Sequence, residues 1–231
     1  MIRLRRSNER GRANHGWLDT RFTFSFAEYH DPAHVHYRAL RVLNDDKIAA
    51  GGAFPMHPHR DMEIVTVMLA GSLEHRDSMG NGGVIRAGEI QKMSAGTGIY
   101  HSEANPSATE AAHLLQIWII PDRHGYKPEY DQRSILGDRR GELVLIGSRD
   151  GREGSLLIHQ DVDLYHGRFD PGDAARYALK PGRHAWIQVA SGVLTVNGAR
   201  LETGDGAAIE DEDQTAIEAV EAGEFLLFDL A

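Results

Sequence analysis

Short apolar segments separated by turn signals recur along the whole chain. Residues 64–69 are apolar apart from Thr66 and are followed by a turn signal at Gly71, and residues 113–120 are mostly apolar and end at Pro121. Segments of about four to eight such residues, rich in β-branched side chains, are typical of β-strands. Residues 22–26 alternate aromatic with small polar side chains, which indicates a half-buried strand. The pattern therefore predicts an all-β fold.

The second half of the chain repeats this pattern, with a spacing typical of a β-sandwich or barrel. Residues 217–220 and 225–230 flank Gly223, which predicts a strand, a turn and a second strand. Residues 123–140 are polar and contain scattered glycine, proline and charge, as an interdomain linker does. We therefore predict two domains, residues 1–125 and residues 140–231. The remaining apolar segments of the second domain are residues 143–146, 155–159, 185–190, 193–196 and 207–209.

Composition narrows the possible chemistry. The chain has 231 residues, 41% hydrophobic and 26% charged, as in ordinary globular proteins. Its net charge of -9 argues against direct nucleic-acid binding, because phosphate contacts require clustered lysine and arginine. There are thirteen histidines and no cysteines. Disulfides, iron-sulfur clusters and thiolate zinc sites are therefore excluded, and any metal must be held by histidine, carboxylate or water.

The N-terminal residues 1–12 are basic, like the start of a signal peptide, but no apolar segment of about 7 to 15 residues follows them. No segment approaches the roughly 20 apolar residues that a transmembrane helix needs. The sequence therefore predicts a cytoplasmic protein that does not bind a membrane.

Two pairs of metal-binding side chains lie in segments that are predicted as strands. His57 and His59 form one pair, and His101 and Glu103 form the other. Because side chains alternate in a strand, residues i and i+2 point to the same face, so each pair can offer two donor atoms to one interior. His34 and His36 have the same spacing without a flanking strand pattern, and we expect them in an exposed loop.

The residues around these pairs resemble two known motifs. Gly51, His57, His59 and a nearby glutamate resemble the first motif of the cupins, and Gly98, His101 and Asn105 resemble the second. More narrowly, the chain resembles the pirin family over nearly its whole length, closest to bacterial pirin-like proteins described as quercetin 2,3-dioxygenases. The segments that carry this resemblance are His15-Gly-Trp17, residues 22–26, residues 57–63, Asp77-Ser-Met-Gly-Asn81, Ser94-Ala-Gly-Thr-Gly98 and His101-Ser-Glu103.

The resemblance implies two cupin-like antiparallel β-barrels in tandem, a bicupin, with a metal site only in the N-terminal barrel. In the C-terminal half His184 stands alone where a ligand pair would be needed. Glu63 lies one residue earlier than the glutamate ligand of other cupins. In pirins the carboxylate ligand instead maps to Glu103, which leaves Glu63 as an outer partner of a ligand at most. The resemblance therefore implies four metal ligands, His57, His59, His101 and Glu103.

The implied reaction is a metal-dependent dioxygenation that cleaves the heterocycle of flavonols such as quercetin and releases carbon monoxide. Its partners are a small aromatic substrate and dioxygen, and Glu103 is the catalytic group that takes the substrate's hydroxyl proton. Three imidazoles and a carboxylate suit a divalent transition metal, with iron(II) first and copper, nickel, cobalt, manganese or zinc as alternatives. A flat substrate could bind between apolar walls formed by Met62, Ile64, Met93 and Trp118. The sequence does not fix which of these four side chains face the pocket. For His113, Gln116 and Trp118, a core or edge role is the simpler interpretation.

Other functions fit the same residues. Eukaryotic members of the pirin family suggest a metal- and redox-sensing interaction protein, a transcriptional co-regulator that docks on a protein partner without obligatory turnover. A cupin that binds or isomerises a sugar or keto acid fits the fold equally. A purely structural metal that joins two strands is the fourth possibility, although such sites are normally closed four-coordinate sets.

Overall fold

The computed structural model describes residues 1–134, 137 and 139–231, and its chain forms two compact units. The N-terminal unit contains Gly11–Ile135 and Ile158–Gln160. The C-terminal unit contains Met1–Arg10, Leu136–Leu157 and Asp161–Ala231. Each unit therefore includes a short segment that is distant in sequence from the rest of it.

Antiparallel strands make up nearly all of the regular structure, with two short 3₁₀ helices at Ser7–Glu9 and Arg152–Gly154. Among the described residues, no helix is long and apolar enough to cross a membrane. In chain order the strands are β1 (Ile2–Arg5), β2 (Gly11–Asn14), β3 (Leu18–Phe22), β4 (Leu40–Ile48), β5 (Ala53–His59), β6 (Glu63–Ala70), β7 (Ser72–Asp77), β8 (Gly82–Arg86), β9 (Ile90–Ser94), β10 (Ile99–Ala104), β11 (Ala112–Ile119), β12 (Glu129–Arg133), β13 (Leu143–Ser148), β14 (Leu156–Leu157), β15 (Val162–Phe169), β16 (Ala174–Ala178), β17 (His184–Val196), β18 (Ala199–Glu202), β19 (Gly206–Ile209) and β20 (Gln214–Leu230).

The N-terminal unit consists of a seven-stranded sheet in the order β12-β9-β6-β11-β4-β3-β2 and a four-stranded sheet in the order β5-β10-β7-β8. A buried apolar cluster joins them, because Ile48 and Leu114 from the larger sheet pack with Leu73 and Ile85 from the smaller one. The predicted all-β, cupin-like architecture is confirmed, but the sheets are open. The unit is a cupin-like jelly roll and not a closed barrel.

The C-terminal unit is one nine-stranded sheet built around β17 and β20. The prediction of a turn between two strands at Gly223 is wrong, because the single strand β20 continues through this glycine. The reason is a close backbone approach to β17. A Cβ on Gly192 would lie 2.2 Å from the carbonyl oxygen of Ala222, and a Cβ on Gly223 would lie 2.5 Å from that of Ser191. Glycine lets both long strands bend here while they stay paired.

The predicted linker at residues 123–140 contains a strand. Strand β12 pairs with β9 at the edge of the seven-stranded sheet, where Tyr130 lies opposite Met93. Its composition is polar because an edge strand keeps much of its surface in water. Part of the segment that composition predicts as a linker is therefore an edge strand of the N-terminal unit.

Candidate metal centre

Strands β5 and β10 bring the two predicted pairs together. They are antiparallel neighbours, and His57 lies directly opposite His101. Strand β5 is the edge of the four-stranded sheet, which is where Pro55 and Pro58 can be tolerated, since proline cannot donate to a sheet hydrogen bond. The register shifts between His101 and Glu103.

Three imidazole rings form a compact cluster. The ring centroids lie 4.4 Å apart for His57 and His101, 4.8 Å for His57 and His59, and 4.9 Å for His59 and His101. One nitrogen from each ring lies within 4.8 Å of the other two, a spacing that can hold a metal ion. His101 Nε2 is buried without a hydrogen-bond partner. His57 Nδ1 lies 2.7 Å from the carbonyl oxygen of Pro55, which can only accept, so Nδ1 donates and Nε2 keeps its lone pair.

The protonation of these rings also suits metal binding. Burial, and then the charges of His57 and His59, lowers the pKa of His101 to about 2. Burial and His57 lower the pKa of His59 to about 4. Neutral imidazole is the form that binds metals. The observed donors therefore fit a divalent metal ion.

Glu103 lies next to this cluster in a different set of donors. It groups within 4.8 Å with His75 and His101, and no such group contains Glu103 together with His57 and His59 among the described residues. Its Oε1 accepts a hydrogen bond from Gln91 Nε2 and its Oε2 accepts one from Gln116 Nε2, each at 2.9 Å. Each oxygen keeps a further lone pair. Burial, followed by the charge of Asp46, raises the pKa of Glu103 to about 7.

A cavity of about 330 Å³ opens onto the three histidines. Phe26, Phe54 and Trp118 form apolar walls, with Phe26 and Trp118 in edge-to-face contact at 5.2 Å. Its polar side comes from strands of the seven-stranded sheet and from Glu103. The full lining consists of Phe26, Asn44, Asp46, Phe54, Pro55, His57, His59, His101, Glu103, Gln116 and Trp118.

This lining corrects several expectations. Of the four predicted wall residues only Trp118 lines the cavity, because Ile64 and Met93 belong to a separate buried cluster against which Met62 packs. Gln116 faces the cavity and not the core or edge that was the simpler interpretation. His113 is not part of the cavity lining, and its Nε2 lies 2.7 Å from Asp45 Oδ1.

Sequence reasoning missed Asn44 and Asp46, which line the cavity from β4. Both are buried, and Asn44 Oδ1 and Asp46 Oδ1 have no hydrogen-bond partner. Burial is the main cause that raises the pKa of Asp46 to about 7. A signal was present, because three polar residues in a row at positions 44–46 are unusual inside a strand. Alternation puts the first and third of them on one face.

Two other predictions concern residues outside the cluster. His34 and His36 lie in a loop, as predicted, and His34 Nδ1 is 2.8 Å from Asp31. Glu63 is buried, and its carboxylate accepts a hydrogen bond from Ser94 and lies 3.7 Å from Lys92 Nζ. Its remaining contact is with His159, at 3.2 Å. None of the contacts described for Glu63 is to a predicted ligand.

Comparison with known proteins identifies the family. The pirin family model matches residues 3–119, and a model described as the quercetinase C-terminal cupin domain matches residues 145–230. The chain belongs to the pirin family. This membership confirms the resemblance drawn from the histidine motifs, and it accounts for both halves of the molecule.

Among pirin relatives, the chain is 52% identical over 230 residues to a quercetin 2,3-dioxygenase of Escherichia coli strain K12. The alignment covers 100% of this chain and 99% of that protein. The crystal structure of YhhW from Escherichia coli superposes with a TM-score of 0.97 at 52% identity, covering 100% of this chain and 98% of that one. The structure of the bacterial pirin YhhW in complex with nickel(II) matches with a TM-score of 0.95 at 51% identity, over 100% and 99% of the two chains.

Proposed function

We propose that this pirin is a metal-dependent dioxygenase that opens the heterocycle of flavonols such as quercetin with release of carbon monoxide. One observation carries the proposal. Three imidazoles converge at a cavity with aromatic walls, and a buried nitrogen of one of them, His101 Nε2, has no partner in the protein. The 52% identity to a protein named quercetin 2,3-dioxygenase supports it over the full length.

The proposed ligands are His57, His59, His101 and Glu103. The nickel(II) complex of a pirin that is 51% identical supports a divalent metal, and within that class we propose iron(II). When bound, the metal would supply Lewis-acid chemistry that lowers the pKa of a substrate hydroxyl and orients it toward dioxygen.

The protein's own groups would do the rest. Phe26, Phe54 and Trp118 would bind a flat aromatic substrate and exclude water from it. Glu103 would take the proton of the substrate hydroxyl on a carboxylate oxygen and return it to the product. The amides of Gln91 and Gln116 would hold that carboxylate in place throughout. Each amide occupies only one lone pair of the Glu103 oxygen to which it donates, so a second lone pair is left for the proton. The atoms and electrons of one flavonol and one dioxygen equal those of the two products, a depside and carbon monoxide. The reaction therefore needs no further reductant.

The test is carbon monoxide release from quercetin in air, by protein reconstituted separately with iron(II), nickel, cobalt, manganese or copper. We expect His57→Ala to lower the rate by more than about 100-fold, since losing a ligand should exceed the 10- to 100-fold effect of losing an outer partner. His184→Ala is the matched control, because this histidine lies in the C-terminal unit, and it should keep the full rate.

Two results would contradict the proposal. One is the absence of carbon monoxide from protein that is shown to hold each metal, a result that would favour the sensing and interaction function. The other is an undiminished rate in His57→Ala.

A further inference from the structure

The segment Asp77-Ser-Met-Gly-Asn81 is part of the pirin resemblance, and the proposed mechanism gives it no role. It forms the turn after β7, and the carboxylate of Asp77 organises it. Asp77 Oδ1 accepts hydrogen bonds from the backbone N–H groups of Met79 and Asn81 at 2.9 and 3.0 Å. Asp77 Oδ2 accepts one from Asn81 Nδ2 at 2.9 Å. Three donors therefore fix the carboxylate in position.

From this turn a line of hydrogen-bonding groups leads to the metal centre. Asp77 Oδ2 lies 3.5 Å from His75 Nε2, and His75 Nδ1 lies 3.4 Å from His101 Nδ1. The sheet register explains the alignment, because Asp77 is opposite His101 and His75 is opposite Glu103 on the paired strands β7 and β10. The four side chains therefore share one face of the sheet.

The hydrogen-bonded line from Asp77 through His75 to His101 is sealed from water, so its side chains have few other partners. His75 is 0% exposed and His101 is 1% exposed. The ring of Tyr130 stacks on His75 with centroids 4.5 Å apart and an interplanar angle of 15°. Tyr130 comes from β12, the edge strand within the segment that looked like a linker. Because water cannot reach these rings, their hydrogens must be placed by protein groups.

The positions of the hydrogens then follow from one end of the chain to the other. The Asp77 carboxylate accepts three hydrogen bonds, and an ionised carboxylate has no hydrogen to donate. His75 Nε2 is therefore the donor to it, and the hydrogen of the His75 ring lies on Nε2. Nδ1 of a neutral His75 is then an acceptor. A single hydrogen can lie between the two Nδ1 atoms, so it belongs to His101. The remaining nitrogen of His101, Nε2, carries a lone pair, and it is the buried atom without a hydrogen-bond partner in a ring that groups with His57 and His59.

We propose that Asp77 and His75 are positioning residues, which hold the hydrogen of His101 on Nδ1 and so keep Nε2 free to bind the metal. The inference rests on the metal site of the proposed function. It assigns a role to a turn and to a buried histidine that are not ligands themselves. Outer partners of this kind fix the tautomer and the orientation of a metal-bound ring.

The first measurement needs no metal and no substrate. Metal-free wild-type protein labelled with ¹⁵N in histidine would be studied by NMR, with the His101 signals identified by their absence in His101→Gln. We expect His101 to carry its hydrogen on Nδ1 and His75 to carry its hydrogen on Nε2. A His101 ring with its hydrogen on Nε2 would overturn the proposal.

The second measurement is nickel(II) affinity by calorimetry, with two matched replacements of one residue. Asparagine places a side-chain oxygen where histidine has Nδ1, whereas glutamine reaches the Nε2 position instead. We expect His75→Asn to bind nickel within about threefold of wild type, and His75→Gln to bind 10- to 100-fold more weakly. Equal affinities in wild type and His75→Gln, or equal losses in both variants, would contradict a role in placing the hydrogen.

Asp77 is tested in the same way. Asp77→Asn replaces an acceptor with a group that can donate, and we expect a 10- to 100-fold loss of nickel affinity. Met79→Ala is its control, since it shortens an exposed side chain of the same turn and keeps the three donors to the carboxylate, and it should bind nickel nearly as wild type does. A loss in Met79→Ala as large as in Asp77→Asn would overturn the role of Asp77.

Failure of the metal site itself would be recognised separately. Wild-type protein that binds no nickel, or binds it unchanged after His57→Ala, would count against the proposed function. The tautomer of His101 in metal-free protein would still decide whether the hydrogen-bond chain exists.

Discussion

The two units are built from the same kind of antiparallel sheet, but they treat their interiors differently. In the C-terminal unit, Phe169 and Phe225 meet edge to face at 5.0 Å within a continuous apolar cluster, and the buried amide of Gln188 donates to two backbone carbonyls. In the N-terminal unit, buried polar atoms of Asp46 and His101 face a cavity without a partner. Unsatisfied buried groups cost free energy, and at a cavity a ligand can complete them.

The same contrast appears at one matched position of the two sequences. His57 is followed two residues later by His59, whereas His184 is followed two residues later by Trp186, which is buried. The second strand therefore offers one nitrogen donor and a large apolar ring on the face where the first offers two donors. At the i+2 position a buried tryptophan therefore takes the place of a second ligand.

The largest expected effect tests whether the C-terminal interior is the better packed one. Phe225→Ala should lower the free energy of unfolding by about 3–5 kcal/mol, because it leaves a void in a fully buried cluster. Phe54→Ala should cost only about 1–2 kcal/mol, since Phe54 is partly exposed and already borders a cavity. Urea denaturation of the metal-free protein measures both. Equal losses would mean that the two interiors are packed alike.

The next effect concerns pH and the buried acid Asp46. Its pKa is raised from 3.8 to about 7 mainly by burial, so folding favours the protonated form. The stability that this provides is complete below about pH 4 and is lost as the pH rises through about 7. Asp46→Asn has no charge to bury, so it should gain on wild type by roughly 3 kcal/mol between pH 5 and pH 8 in metal-free protein.

Asp163→Asn is the control for this measurement, because Asp163 belongs to the C-terminal unit and its charge is not among the causes of the raised pKa of Asp46. It should show no such gain as the pH rises. A pH-independent difference between wild type and Asp46→Asn would show that the carboxyl group is not buried in the way the structure indicates.

The smallest effect is expected at an ion pair on the surface of the C-terminal unit. Arg152 Nη2 lies 2.6 Å from Asp163 Oδ2, and both side chains contact water. Asp163→Asn should change the free energy of unfolding by about 0.2–1 kcal/mol, because solvent screens such pairs. The same urea experiment provides the value, and salt should reduce it. A loss of several kcal/mol would place this pair among the groups that determine stability.

The sequence predicted those features that depend on neighbours along the chain. Alternation along β5 and β10 predicted that His57, His59 and His101 share one face, and the all-β class followed from local patterns. The cupin-like fold was implied by the family resemblance. Their assignment as metal ligands stays a proposal, as do Glu103 as ligand and base and the domain boundaries at residues 125 and 140.

Features that depend on packing between distant strands could not be predicted. Asn44 and Asp46 reach the cavity only because β4 of the larger sheet borders it, and Tyr130 covers His75 from a segment that had the composition of a linker. Gly223 looked like a turn because glycine signals a bend, but its reason is the backbone of another strand. Each of these residues is explained by its neighbour in space and not in sequence.

Strand β1 has a consequence for how the protein is made. Ile2 pairs with Ile209, so during synthesis this residue waits for a partner that lies about 200 positions later in the chain. His159 likewise reaches Glu63 only after most of the chain exists. Such distant contacts slow folding and leave strand edges open during synthesis. A nascent chain that ends before residue 159 therefore has β1 without its partner strand and Glu63 without His159.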